Sequence, residues 1–177
     1  MSSQAKTSQL KDRRTRLLAV SAMFAALALI FSYIEVLIPL PVPIPGIKLG
    51  IANLVVLIAI YRLGFKHAFV INMVRILIAG LLFSGVFGMI YSFAGGILSI
   101  IVMYLLYRTG LFSMVGVSMA GGVCHNLGQL LTARVLLSNT AIMSYFPVLL
   151  FSGLISGIAI GLLAYVIEKR LPDLRIN

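Results

Sequence analysis

Long uncharged apolar runs, separated by short clusters of Lys, Arg, Gly and Pro, organise this chain, and Ile76–Tyr107 carries no charge at all. Runs of this length predict membrane-crossing helices. They are expected at about Arg16–Ile38, Leu49–Leu63, Phe65–Phe83, Val86–Tyr107, Leu111–Leu137 and Met143–Ile167, the third and fourth divided only by Ser84-Gly85. At 177 residues there is room for about six spans of roughly 20 residues and none for a separate soluble domain. The expected organisation is a flexible basic tail over 1–15, a six-helix membrane domain over 16–170 and a short tail over 171–177. The fold class is therefore an all-α membrane protein, a compact bundle of six transmembrane helices. Leu17–Ile34 is longer than a typical signal-peptide core and runs on into more apolar sequence, so it is expected to remain as the first helix.

The basic residues test this count. Lys6, Lys11, Arg13, Arg14 and Arg16 precede the first helix, Arg62 and Lys66 lie between the second and third, Arg108 follows the fourth, and Lys169, Arg170 and Arg175 follow the sixth. With six spans all of these fall on one side, leaving Lys48 and Arg134 opposite. The positive-inside rule then places both termini in the cytoplasm.

Composition agrees, with 61% hydrophobic residues, too many for a soluble core of this size to hide. The net charge of +10 raises nucleic acid as a partner, but the charges are spread over membrane-flanking segments, where topology explains them. A lone cysteine, Cys124, excludes an internal disulfide and any paired-thiol metal site, and reads as a small packing residue.

Several segments depart from a plain apolar bundle. Four prolines in Pro39–Gly46 forbid a helix and predict an extended external loop, either a rigid linker or a lid over an outward cavity. After it, Leu49–Tyr61 offers only thirteen uncharged residues, about 20 Å of helix against a hydrocarbon core of about 30 Å. Either Lys48 snorkels outward or the connection dips into the membrane beside protein or water. Ala19, Ala22, Ala25 and Ala26, with Ala22 and Ala26 one turn apart, make a narrow small-residue face on the first helix, where another helix of this chain or a second membrane protein can approach closely. Gly153, Gly157 and Gly161 make a similar ridge on the last helix.

Ionisable groups inside a membrane are costly and point to sites. Arg75 and His125 fall near mid-span; Asn72 is one turn from Arg75, Gln129 one turn from His125, and Asn126 beside it. Asn53, Glu35 and Arg134 lie nearer the outside. Two readings stay open: a polar cluster that receives a ligand from outside, involving Lys48, Asn53, Asn72, Arg75, His125, Asn126 and Gln129, or polar glue between helices. The excess of Lys48, Arg75 and Arg134 over Glu35 favours an anionic or carbonyl-rich ligand. His67, at the cytoplasmic edge, reads as interfacial.

Catalytic inventories are missing. No phosphate-cradling Gly-x-x-x-x-Gly-Lys-Ser/Thr loop occurs, so the chain cannot power transport itself. Four acidic residues, two of them in the tails, cannot form an Asp-rich magnesium-diphosphate site, and no cofactor or metal is implied.

Pro45-Gly-Ile-Lys-Leu-Gly-Ile-Ala-Asn53, Arg75, and Gly116-Val-Ser-Met-Ala-Gly-Gly-Val-Cys-His-Asn-Leu-Gly-Gln129 together resemble the Gx transporter family, whose members often carry the name heptaprenyl diphosphate synthase component I. That family is similar to the substrate-binding S components of energy-coupling factor transporters, bacterial cytoplasmic-membrane proteins. The resemblance implies capture of a small molecule in an outward cavity closed by the first external loop. It also implies two kinds of partner: a transmembrane coupling subunit docking on Ala22 and Ala26, and two ATP-binding subunits. The family name implies an alternative, a membrane accessory to heptaprenyl diphosphate synthesis. A third class, a scaffold in a flavin- or quinone-linked electron-transfer system, needs no redox ligands of its own.

Overall fold

The computed structural model describes residues 3–38, 50–138 and 140–171. The Pro39–Lys48 loop, and Lys48 with it, lies outside these residues. The elements are α1 (Ser3–Leu37), α2 (Ile51–Leu63), α3 (Phe65–Ala79), a π-helical turn (Gly80–Ser84), α4 (Gly85–Thr109), α5 (Met114–Leu137), a 3-10 turn (Thr140–Tyr145) and α6 (Phe146–Arg170). A helix stands at each expected position, with shifted ends. The helix expected from Arg16 begins at Ser3, so most of the segment read as a flexible tail is helical. The fifth starts at Met114, because Ser113 adopts an extended backbone and its Oγ accepts from Gly116 N at 3.2 Å, an N-cap.

Among the described residues, three stretches are long and apolar enough to cross a membrane: Lys11–Leu37, Phe65–Thr109 and Thr140–Arg170. Their outward faces carry Leu18, Leu81, Phe87 and Ile155, all more than 60% exposed, as a lipid-facing surface requires. This is a membrane protein. The Phe65–Thr109 stretch is not one rod. Gly85, at φ 67° and ψ 176°, reverses the chain after the π turn, a backbone conformation that glycine adopts without strain. The reversal brings Met89 against Gly80 and Gly96 against Ile76, so α3 and α4 pair antiparallel.

Short α2 is the centre of the bundle rather than a strained span. Eight of its thirteen residues, Ala52 and Leu54 through Ile60, are buried. A helix apolar all round is stable when protein surrounds it, and α1, α3 and α6 do so here. The α6 glycine ridge also packs within the chain: a Cβ on Gly157 would stand 2.6 Å from Met119 Cα, and one on Gly161 2.7 Å from Val115 Cα. Backbones of α5 and α6 thus touch along the ridge, and close approach of this kind replaces the hydrophobic driving force that lipid does not provide.

Among the described residues most basic positions gather at one end, with Arg134, in the last turn of α5, at the other. Arg62 Nε lies 2.6 Å from Glu168 Oε1, and Arg62 Nη2 donates to the carbonyls of Glu168 at 2.9 Å and Leu171 at 3.3 Å. A cation therefore satisfies the last carbonyls of α6, where the helix dipole favours it. Tyr61 stacks on Tyr107 at 4.5 Å and Phe65 on Tyr104 at 4.6 Å between ring centroids, which holds the ends of α2 and α4 and the start of α3 at this level. At the opposite end Glu35 Oε1 accepts from Ile51 N at 2.6 Å, joining the end of α1 to the start of α2.

Candidate functional site: a cavity under the hairpin turn

A cavity of about 320 Å³ lies at the end of the bundle opposite most of the basic residues. Helix α1 contributes Ser32, Glu35 and Val36; α3 contributes Arg75, Ile76 and Ala79; the π turn contributes Gly80, Phe83 and Ser84; α4 contributes Gly88 and Ser92. The π turn shapes one wall. Irregular backbone at membrane depth is tolerated where it is buried or lines a wet cavity, and π turns recur at functional sites. Phe83 is fixed by Tyr33 of α1, their centroids 5.0 Å apart.

Arg75 is the cation among the described walls of this cavity, and only 7% of it is exposed. Its Nη2 donates to Asn72 Oδ1 at 2.8 Å, and its Nη1 reaches Ser32 Oγ at a long 3.5 Å. Its Nε has no hydrogen-bond partner among the described residues. Asn72 is held in turn, its Nδ2 donating to Gly96 O of α4 at 3.2 Å. The guanidinium is thus steered by α3 and α4 yet keeps donors unspent. An unpaired buried donor costs about 1–3 kcal/mol, more when charged, so an acceptor beside this guanidinium would be favoured.

His125 and Gln129 form a second polar pair on α5, with Nε2 to Nε2 at 3.1 Å. They press on Gly95 of α4, where an added Cβ would lie 3.0 Å from Gln129 Cγ and 3.1 Å from His125 Nδ1. Gly95 and Gly96 are successive residues about 100° apart around α4, so that helix stands between this pair and Asn72. His125, Asn126 and Gln129 do not line the Arg75 cavity. Asn126 instead donates from Nδ2 to Leu149 O of α6 at 2.8 Å, a helix-to-helix bond. Asn53 borders a separate void of about 20 Å³ with Ser99, Ser118 and Ser156, polar and roomy enough for about one water. Of the polar residues marked by the sequence, the structure places Arg75 and Glu35 at one cavity with Asn72 bonded to Arg75 behind its wall, His125 with Gln129 beside α4, and Asn126 bonded to α6. Arg134 is exposed, and His67 Nδ1 lies 3.0 Å from Leu63 O near the basic end.

Sequence reasoning missed Ser32, Phe83, Ser84 and Ser92. The signal for Ser32 was present, since it sits three residues before Glu35 and so shares its face. The π turn that brings in Phe83 and Ser84 leaves no such period. Ala22 and Ala26 are exposed, while Phe24 and Ala28 of the same helix face the core. The alanine face is therefore turned away from the bundle.

The family model described as heptaprenyl diphosphate synthase component I matches residues 24–167, which include every marked site residue except Ala22. No curated protein and no solved structure matches the chain.

Proposed function

We propose that this chain, which belongs to the heptaprenyl diphosphate synthase component I family, is the substrate-capturing membrane subunit of an energy-coupling factor type uptake transporter. It is a non-catalytic six-span bundle that works with a coupling subunit and two ATP-binding subunits. The observation that carries this reading is the 320 Å³ cavity with a buried, under-satisfied arginine, set at the end of the bundle away from most of the basic residues. By the positive-inside rule that end faces outward. Cysteines placed at exposed Thr140 and Thr109 in a Cys124-free background test the orientation. An impermeant thiol reagent should label Thr140→Cys in intact cells and Thr109→Cys only after permeabilisation; the reverse pattern would turn the cavity inward and end the proposal.

The outward-turned alanine face supports a membrane partner, since small residues let a second helix come close. The double variant Ala22→Leu, Ala26→Leu is expected to purify without the coupling and ATP-binding subunits that accompany the unaltered protein, while keeping its fold and its small-molecule ligand. Retention of those subunits by the double variant would remove the docking face.

The family's description favours a second reading, a membrane accessory to a separate prenyl-transferring chain. Glu35 and Glu168 are held at opposite ends of the bundle, each on its own partner, so these two acids cannot share one magnesium-diphosphate. Altered isoprenoid chain lengths on deletion, with uptake intact, would favour the accessory role.

A further inference from the structure

We infer that the ligand of the Arg75 cavity is a compact organic acid carrying a single carboxylate, and not a phosphate or diphosphate ester. The inference rests on reading the cavity as the capture site and adds the chemical class of what is captured.

Charge sets the first limit. Arg75 brings one positive charge to the cavity, and Glu35 brings one negative charge to the same walls. Glu35 is already held by the amide of Ile51, at the positive end of α2. The helix terminus, worth about half a charge, therefore offsets part of its charge, and the donors that Arg75 keeps leave room for one anionic group. Among the described residues Arg75 is the single cation of these walls, so a diphosphate would bring more negative charge than they balance, and burying unpaired charge costs several kcal/mol per ion.

Geometry sets the second limit. A guanidinium presents donors in a planar fork that matches the two oxygens of a carboxylate. Asn72 takes one donor of Nη2, Ser32 is only a distant partner of Nη1, and Nε has none among the described residues. What remains is the second N–H of Nη2 and those of Nη1, coplanar donors on a side chain that is more than nine-tenths buried and borders the cavity, while Nε is enclosed by protein. Size sets the third limit: 320 Å³ is the volume of about ten liquid waters and stands at the low end of small-molecule pockets. Ile76 and Phe83 offer an apolar wall, and Ser84 a hydroxyl, so the body of the acid is mixed apolar and polar.

The experiment uses the full chain purified in mild detergent from the membranes that produce it. Bound small molecules are extracted and analysed by mass spectrometry before and after methyl esterification, for the unaltered protein and for Arg75→Met. The expected result is one species, depleted on the order of tenfold or more in the variant, that contains no phosphorus and gains one methyl group. Should Arg75→Met not fold, Arg75→Lys takes its place, because it keeps the charge and removes the fork. An arginine-dependent species that contains phosphorus, or that gains no methyl group, overturns the carboxylate class and leaves capture standing. No arginine-dependent species at all overturns capture, and the class falls with it.

Discussion

Replacing Gly157 by leucine is expected to leave no folded protein. The Cβ alone would stand 2.6 Å from Met119 Cα and 2.9 Å from Ser118 O, both backbone atoms of α5 that cannot swing aside as a side chain would. Helices α5 and α6 would have to separate, and the neighbouring contacts of Gly153 with Gly122 and of Gly161 with Val115 would open with them. Overpacking a tight interface costs about 1–3 kcal/mol or more, and in lipid no hydrophobic term pulls the pair together again. The milder Gly157→Ala is expected to lower the melting temperature by several degrees. Gly116→Ala is the control: its nearest neighbour is Phe112 Cδ1 at an ordinary 3.7 Å, and alanine gains about 0.8–1 kcal/mol of helix propensity over glycine. Thermal unfolding and size-exclusion profiles in one detergent compare the three. Equal melting temperatures for Gly157→Ala and Gly116→Ala would show that the ridge is not a contact.

The glycine ridge also marks how far the sequence reaches. Apolar run length gives the elements, and the spacing of Gly153, Gly157 and Gly161 gives a face, but neither says whether that face meets the same chain or another. The ridge faces α5, whereas the smaller Ala22-Ala26 face, of the same kind, looks outward. Segregation of Lys and Arg is legible because it follows from chain order alone. The ion pair of Arg62 with Glu168 is not, because it joins residues far apart in sequence whose ends meet only after the bundle closes. The site was legible in its cation and blurred in its company. Asn72 and Arg75 share a helix turn and do act together. Common depth suggested that His125, Asn126 and Gln129 would join them, but depth is one coordinate of three, and α4 occupies the space between. The cavity wall at Phe83 and Ser84 comes from a π turn, whose shifted period no helical count anticipates.

That division gives Arg75→Met and Gln129→Leu opposite expected outcomes. Arg75→Met removes the cavity's cation, and loss of a charged hydrogen bond should weaken binding of the molecule recovered from the unaltered protein by about 2–4 kcal/mol, roughly thirty- to a thousandfold. Its stability should change little or rise. The substitution removes a buried charge with unspent donors, while Asn72 Oδ1 loses a donor, a loss of about 1 kcal/mol in the other direction. Gln129 touches His125 and Gly95 and not the cavity, so Gln129→Leu should keep the affinity of the folded fraction and register in melting temperature alone. Affinity and melting temperature measured on the same purified variants decide the matter. Unchanged affinity in Arg75→Met would take the capture site out of this cavity. An equal loss in Gln129→Leu would mean that the polar pair on α5 reaches the ligand after all, across a helix α4 that must then move aside when the ligand binds.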